Sequence, residues 1–249
     1  MPAKTAPAKA VPAKMTAKDV LAELKKLGTE QTKKTFLRHG AKEPFFGVKV
    51  ADLKTIQKRI KKDYQLALDL YATGNSDAMY LAGLIADPEK MTKADLQKWV
   101  KGAYWHMLSS YTVPWVASES RFGRELAVEW IDSDEELIAT AGWFTYSSLV
   151  AIKPDAALDL AEIEKLLGRV KAEIGSAPNR VRYAMNNFVI FVGSFVAPLT
   201  AKAKAVAKAL GSVEVDMGDT DCKVPDAYAY ISKIEKTGRV GKKRKHAAC

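Results

Sequence analysis

Helical spacing of the apolar residues constrains this chain more than any other feature of its sequence. Thr16 and Asp19 have the form of a capping box, and the apolar stripe that follows them ends at Gly28. Further stripes of this kind fill the chain up to residue 232, closed by glycines or by Asp87-Pro88. The linkers between them run about two to eight residues, which is typical of antiparallel helix pairs. The pattern predicts an all-α fold.

The packing of these helices is less constrained by the pattern. Many short helices with small connections favour an α-solenoid of HEAT/ARM-like helical repeats. The repeats are degenerate, so periodicity alone leaves an irregular helical bundle open as the alternative. Residues 188–196 and 212–215 have strand propensity, but each stretch is too short and too isolated to define a sheet.

The net charge of +10 is concentrated at the two ends of the 249-residue chain. Residues 1–15 contribute +3 and repeat Pro-Ala-Lys, so we expect a disordered arm there. Residues 233–249 contribute +6, and we expect residues 238–249 to form a basic, flexible tail. Only +1 remains for residues 16–232. A DNA-binding surface on the predicted helical-repeat domain, residues 16–237, therefore requires an uneven placement of charge.

Several classes of function are disfavoured by what the sequence lacks. Two cysteines, Cys222 and Cys249, cannot build a disulfide framework or a four-cysteine zinc site. No phosphate-binding glycine loop or metalloprotease helix occurs, and the three histidines lack ligand spacing, so we expect no metal and no other cofactor. The N-terminus lacks the apolar core of a secretory signal, and the longest apolar run is too short for a membrane span. These features predict a cytoplasmic protein without a membrane partner.

An aromatic set in the middle of the chain is a candidate binding surface. Tyr111, Trp115 and Glu119 follow one another at intervals of four residues, which places them on one face of a helix. Trp143 and Tyr146 lie three apart on a later apolar helix. Taken alone, the aromatics are better explained by core packing.

Two asparagines, Asn186 and Asn187, interrupt another apolar helix. A buried amide without a partner costs roughly 1–3 kcal/mol. We therefore expect this pair either to hydrogen-bond across helices or to face a groove.

The segment from Phe45 to Ile56 carries the most specific local signal. It reads FFGVKVADLKTI and resembles the FGV(R/K)-x-P-x-L-R-x-I element of the DNA alkylation repair family, the AlkD-like alkylpurine DNA glycosylases. Other stretches that are similar to these proteins are residues 36–38, 66–71, 77–88 and 215–245. The resemblance covers most of residues 16–245, and it is specific in the N-terminal half and loose in the middle.

The resemblance implies an all-α solenoid of HEAT-like repeats whose concave, electropositive face cradles duplex DNA. Family enzymes hydrolyse the N-glycosidic bond of cationic N3- or N7-alkylated purines, without a metal and without flipping the lesion into a pocket. A cationic base is a good leaving group, so one carboxylate beside the sugar can stabilise the developing cation and activate water. The implied partner is duplex DNA, alkylated or branched, and the implied state is a monomer.

The sequence departs from the family at the position of its catalytic aspartate. The family pattern S-W-D-x-x-D falls on residues 110–115, which puts Trp115 at the aspartate and leaves an aromatic residue, Tyr111, at the tryptophan. Trp115 cannot accept a proton. Glu119, one turn along and displaced by roughly 6 Å, is the remaining candidate for the catalytic acid.

Two further family positions also differ. The pattern W-x-x-R falls on residues 143–146, so Tyr146 stands where the family has a phosphate-binding arginine. A third family tryptophan aligns with Asn187.

Three hypotheses follow. The first is a DNA-binding member of the family that recognises duplex or damaged DNA by backbone contacts and shape, without the standard glycosylase constellation. The second is an active DNA N-glycosylase that excises N3/N7-alkylated purines through an altered site with Glu119. The third is a protein-interaction scaffold, because helical solenoids also bind peptides and proteins. The candidate DNA-binding residues are Tyr111, Trp115, Trp143, Tyr146, Asn186, Asn187, Lys33, Lys34, Arg38, Lys49, Arg180, Arg182, Lys242, Lys243, Arg244 and Lys245.

Overall fold

A computed structural model describes residues 15–248 of the chain, and within this range it is built from helices without a β-strand. In chain order the helices are α1 (Ala17–Leu27), α2 (Glu30–Arg38), α3 (Val50–Ile60), α4 (Tyr64–Ala72), α5 (Ser76–Ile85), α6 (Lys93–Gly102), α7 (Val113–Glu119), α8 (Gly123–Ile131), α9 (Glu136–Ile152), α10 (Leu160–Glu173), α11 (Asn179–Phe195), α12 (Thr200–Leu210) and α13 (Ala227–Lys236). The all-α prediction is confirmed. Of the stretches with strand propensity, residues 188–195 belong to α11 and residues 212–215 form an irregular loop. The predicted disordered arm lies outside the described residues, apart from Met15, which packs against the core.

From α4 onward the helices alternate between two rows. In the inner row α5, α7, α9, α11 and α13 pack side by side. In the outer row each of α4, α6, α8, α10 and α12 packs against the inner helix that follows it in the chain. The result is a stack of five helix pairs, with α1 and α3 covering its first end against α5.

The two rows differ in how neighbouring helices are joined. Inner-row neighbours pack most closely from α7 to α13, and ion pairs link neighbours in the outer row. These outer ion pairs are Lys93–Glu125 (2.8 Å), Arg124–Glu162 (2.6 Å) and Lys202–Glu164 (2.5 Å), whose partners are 32, 38 and 38 residues apart in sequence. The expected α-solenoid of HEAT-like repeats is confirmed.

The turn that carries the family resemblance, Phe46-Gly47-Val48, is fixed by one buried carboxylate. Asp77, in the first turn of α5, is 3% exposed and accepts the N–H groups of all three residues, at 2.6, 3.0 and 3.2 Å. Burial raises the pKa of Asp77, while the three N–H donors act to lower it. Gly47 has a φ of 78°, and a Cβ there would lie 2.7 Å from the backbone nitrogen of Lys33. The motif therefore joins α2, α3 and α5.

The C-terminal segment, residues 237–248, corrects the prediction of a flexible tail. It crosses the carboxyl ends of the inner helices, and its backbone donates hydrogen bonds to α11, α9 and α7 in turn. These bonds run from Gly241 to Ser194 O (2.9 Å), from Arg244 to Ala151 O (2.8 Å) and from Ala247 to Glu119 Oε1 (2.7 Å). Ala247 is 3% exposed. The composition of the C-terminal segment favoured disorder, but the unsatisfied carbonyl groups at helix ends give the segment its partners.

The loop between α12 and α13, residues 211–226, crosses the opposite edge of the inner row. Asn179, the first residue of α11, exchanges two hydrogen bonds with the backbone of Asp216, at 2.9 and 2.7 Å. Gly218 has a φ of 75°, and a Cβ there would lie 2.7 Å from the carbonyl oxygen of Arg38, at the end of α2. The loop thus reaches from the last helix pairs back to the first helices.

Candidate nucleic-acid interface

A row of aromatic rings runs through the inner row. Tyr80 of α5 meets Trp115 of α7 edge-on, with ring centroids 5.5 Å apart, and Trp115 packs against Tyr111 at 5.7 Å. Tyr111 is followed by Phe144 of α9 at 6.3 Å, and Phe144 by Tyr183 of α11 at 6.2 Å. These separations lie within the range of favourable aromatic contacts. The rings therefore link four inner helices, with Tyr111 and Tyr183 half-buried and the others buried.

Trp115 and Glu119 line one groove, at the carboxyl end of α7. The Glu119 Oε1 atom accepts the N–H of Ala247 at 2.7 Å and lies 3.9 Å from Nδ1 of His246. Trp115 is 8% exposed. The carboxylate that could act as a catalytic acid is therefore already engaged by the C-terminal segment.

Burial corrects the prediction for three of the candidate DNA-binding residues. Trp143 is 0% exposed, and Tyr146 is 2% exposed and donates its hydroxyl hydrogen bond to Glu162 of the outer helix α10. Burial, followed by the hydrogen bond to Glu162, raises the pKa of Tyr146. Asn186 is 1% exposed and donates to the carbonyl oxygen of Pro225 at 2.9 Å. All three side chains join helices inside the protein, because α9 and α11 have neighbours on most of their faces.

Asn187 and Arg180 lie on the more open part of α11. Asn187 is half-buried and donates to the carbonyl oxygen of Tyr183 at 2.8 Å. The backbone N–H of Arg180 donates to Glu136 at 2.7 Å, and its Nη1 atom lies 4.0 Å from Sδ of Met217. The amino end of α11 is thus held against α9 and against the 211–226 loop.

Basic groups gather near this amino end. Burial is the main cause that lowers the pKa of His106 to about 4, and the positive groups Arg180 and His39 lower it further. Arg182 is half-buried, and its Nε atom lies buried without a hydrogen-bond partner in the described structure.

The four cations predicted on the first helices are dispersed. Lys33 pairs with Glu43 at 2.7 Å, and this hydrogen bond raises the pKa of Lys33. Lys34, Arg38 and Lys49 are exposed. None of the four lines the groove beside Trp115.

The C-terminal cations, in contrast, are brought to the inner helices. The Nζ atom of Lys243 lies 2.8 Å from a carbonyl oxygen near the end of α9 and 2.7 Å from a carboxylate that follows this helix. The guanidinium of Arg244 lies over two phenylalanine rings of α11, at 5.0 and 5.1 Å from their centroids. Lys242 and Lys245 are exposed.

Comparisons with known proteins agree with this architecture. The family model described as "DNA alkylation repair enzyme" matches residues 20–209. The chain belongs to the DNA alkylation repair family. Within it, the uncharacterized proteins Lin0241 of Listeria innocua and Lmo0209 of Listeria monocytogenes are each 36% identical over 217 residues, which is 85% of this chain and 93% of theirs. A solved structure is described as "a new family of proteins related to the HEAT-like repeat DNA glycosylases with affinity for branched DNA structures". It matches with a TM-score of 0.86 and 43% identity, covering 94% of this chain and 100% of its own.

Sequence reasoning missed four lysines of this DNA alkylation repair protein. They are Lys54, Lys58, Lys61 and Lys62, in and just after α3, and they line the groove that contains Trp115 and Glu119. The signal was present, because Lys54 lies within the segment that carries the family resemblance and the other three lysines follow it within six residues. It was missed because the sequence does not say that the end of α3 lies beside the end of α7. The ring partners Tyr80, Phe144 and Tyr183 were missed for the same reason.

Two kinds of site find no support in the part of the chain that the structure describes. Residues 15–248 contain no group of three or more His, Cys, Asp or Glu side chains placed to hold a metal ion. No single helix in this range is long and apolar enough to cross a membrane. The stretches 179–195 and 197–210 meet that test only together, across a bend of 114°.

Proposed function

We propose that this protein is a cytoplasmic monomer that binds duplex and branched DNA through the backbone and the shape of the DNA, without the glycosylase chemistry of its family. One observation carries the second half of the proposal. At the position where the resemblance expects the catalytic aspartate stands Trp115, and the carboxylate one turn away, Glu119, accepts a hydrogen bond from Ala247 at 2.7 Å.

Base excision needs a carboxylate with free lone pairs beside the sugar, to stabilise positive charge and to activate water. An indole ring offers neither a charge nor a basic site. Glu119 lies one turn from the expected position, and its Oε1 atom holds the C-terminal segment against the inner helices. The arrangement therefore favours binding over hydrolysis.

Two observations support DNA as the partner. A protein that is 43% identical over nearly the whole chain is described as having affinity for branched DNA structures. In this chain, cations from the end of α3 and from the C-terminal segment line the grooves at one edge of the inner row. Cations placed along a groove favour phosphate contacts, which position DNA without reading its sequence.

Binding is tested by fluorescence anisotropy with a four-way junction and with a linear duplex of the same arm sequence, over a range of salt. We expect salt-dependent binding to both and tighter binding to the junction. Replacing Arg180 and Arg182 by glutamine should weaken binding to both DNAs and reduce the slope of log K against log salt by about 2. The matched control is Lys171→Gln with Lys208→Gln, two exposed lysines on the outer helices. If the unaltered protein binds neither DNA, the proposal fails and the protein-interaction scaffold is favoured.

Loss of chemistry is tested by the release of 7-methylguanine from methylated duplex DNA. We expect release no faster than the spontaneous rate, with the same result for Glu119→Gln. Release above that rate that Glu119→Gln abolishes would establish an altered-site glycosylase instead.

A further inference from the structure

A strongly basic channel runs along the carboxyl edge of the inner row. Two grooves of about 540 and 520 Å³ meet at His246 and Ala248 and form this channel. Nine lysine and arginine side chains line it, and Glu119 is the single acidic residue in its lining. We call this the edge channel. It runs from α13, in the inner row, to α3, which lies outside that row.

The C-terminal segment forms one wall of the edge channel and is held there by its backbone. Lys243 and Arg244 are used internally, since one contacts the end of α9 and the other lies over two aromatic rings of α11. Lys242 and Lys245 remain exposed. The segment is thus anchored at Gly241, Lys243, Arg244 and Ala247. It presents Lys242 and Lys245 to solvent.

The end of α3 lines the second groove, which continues the channel beyond His246. Lys58, Lys61 and Lys62 are exposed there, and Lys62 lies 3.8 Å from its nearest carboxylate, Asp87. Lys61 ends the helix with a φ of 64°, in a region that favours glycine. Lys61 therefore has a strained backbone conformation, and its side chain lines the channel.

Neutralisation of helix dipoles accounts for where these cations lie but does not use up their charge. Lys243 contacts the carbonyl end of α9 directly. Lys58 lies in the last turn of α3, and Lys61 and Lys62 directly follow this helix, but all three side chains are exposed and line the channel. Their charge is available to a polyanion.

We propose that the edge channel binds the phosphodiester backbone of a second arm of a branched DNA, while the inner face near Arg180 binds the first arm. This inference rests on the proposed DNA-binding function. Arg180 and Phe195 lie fifteen residues apart on α11, so the two ends of this helix are roughly 22 Å apart. A linear duplex that lies along one edge leaves the other edge open, whereas two arms that diverge from a branch point can occupy both.

The test compares a four-way junction with a linear duplex for the full chain carrying Lys58→Gln, Lys61→Gln and Lys62→Gln. We expect the affinity for the junction to fall at least tenfold and its salt slope to fall by about 2–3, one unit for each lost phosphate contact. Affinity for the linear duplex should change by less than about threefold. A second variant, Lys242→Gln with Lys245→Gln, removes charge from the other groove of the channel and should give the same selective loss.

The matched control is Lys98→Gln, Lys101→Gln and Lys171→Gln, which removes three exposed charges from the outer helices. It should leave both affinities within about threefold, and circular dichroism should show the same fold for all variants. Equal losses on the two DNAs, or no loss on the junction, would overturn the second-arm site while leaving the proposed function intact. Displacement of the junction by polyglutamate at matched charge would assign the channel to acidic peptides instead. Failure of the unaltered protein to bind either DNA would remove the proposed function as well.

Discussion

Two extended segments cross opposite ends of the same inner helices, and they carry opposite charge. The loop at the amino ends, residues 211–226, has a net charge of −4, and the segment at the carboxyl ends, residues 237–248, has +5. A helix has partial positive charge at its amino end and partial negative charge at its carboxyl end. Each segment therefore complements the helix ends that it crosses.

The comparison shows why the net charge of the helical body says little about DNA binding. The sum of +1 for residues 16–232 includes the −4 of the acidic loop and leaves out the +5 of the carboxyl edge. A polyanion is attracted to the carboxyl edge and repelled by the loop at the amino edge. At the amino edge Asp77 uses its charge within the fold, while Arg180 and Arg182 lie beside the acidic loop.

The largest expected effect is at the amino edge, from Asp77→Ala. It leaves three buried N–H groups of the Phe46-Gly47-Val48 turn without an acceptor, and we expect unfolding to become easier by about 3–5 kcal/mol. Urea denaturation at pH 7 measures the change. Asp134→Ala, which removes an exposed carboxylate, should stay within about 0.5 kcal/mol of the parent protein. A loss below about 1 kcal/mol for Asp77→Ala would mean that the turn holds its shape without the carboxylate.

The second effect is the pH dependence that His106 gives to the amino edge. Its pKa of about 4 in the folded state lies below its ordinary value of 6.5, so the unfolded chain binds this proton more tightly. The free energy of unfolding should be insensitive to this group above pH 6.5. It should fall as the pH drops towards 4, by up to about 3 kcal/mol.

Urea titrations at pH 7, 5.5 and 4.5 should therefore differ less for His106→Gln than for the parent. His246→Gln, at an exposed histidine, should keep the full dependence. Equal pH dependence in all three proteins would exclude His106 as its source.

Among the changes that affect DNA binding, removal of the C-terminal segment should cause the largest loss of affinity. A chain that ends at Gly238 loses the five cations of the 237–248 segment, and we expect affinity for the four-way junction to fall about 100-fold at 0.1 M salt. Anisotropy measures the affinity, and circular dichroism checks that the helices remain. Full affinity in the shortened chain would show that the C-terminal segment does not contribute to DNA binding.

The smallest effect should come from neutralising the acidic edge. Asp216, Asp219 and Asp221 are exposed. Replacing all three by asparagine should raise affinity for the junction by about threefold at low salt, since like charge no longer repels the phosphates. Glu89→Gln with Glu125→Gln and Asp134→Asn, three exposed acids elsewhere, is the matched control. An equal gain in this control would show that only net charge matters.

Local patterns predicted the helices well. The capping box at Thr16 forms as the sequence indicates, because its partner Asp19 is only three residues away. The start of α9 shows the limit. The residues Ser133-x-x-Glu136 also have the form of a capping box, yet the helix begins at Glu136 without a side-chain cap from its preceding residue.

The binding surface was predicted less well, because it depends on which faces are covered. Trp143 and Tyr146 have the spacing of a surface pair, but they lie on a helix that is apolar along nearly all of its length and buried accordingly. That uniform apolarity was the signal against an exposed role. The order of the C-terminal segment could not be predicted, since its anchors are backbone groups, which no residue pattern reveals.

The ion pairs of the outer row have a mechanical consequence. Their attraction weakens as added salt shortens the Debye length from about 8 Å to about 3 Å, whereas apolar contacts in the inner row do not weaken in this way. We therefore expect added salt to loosen the contacts between outer-row helices before those of the inner row. Small-angle scattering over a range of ionic strength measures the resulting change in the radius of gyration.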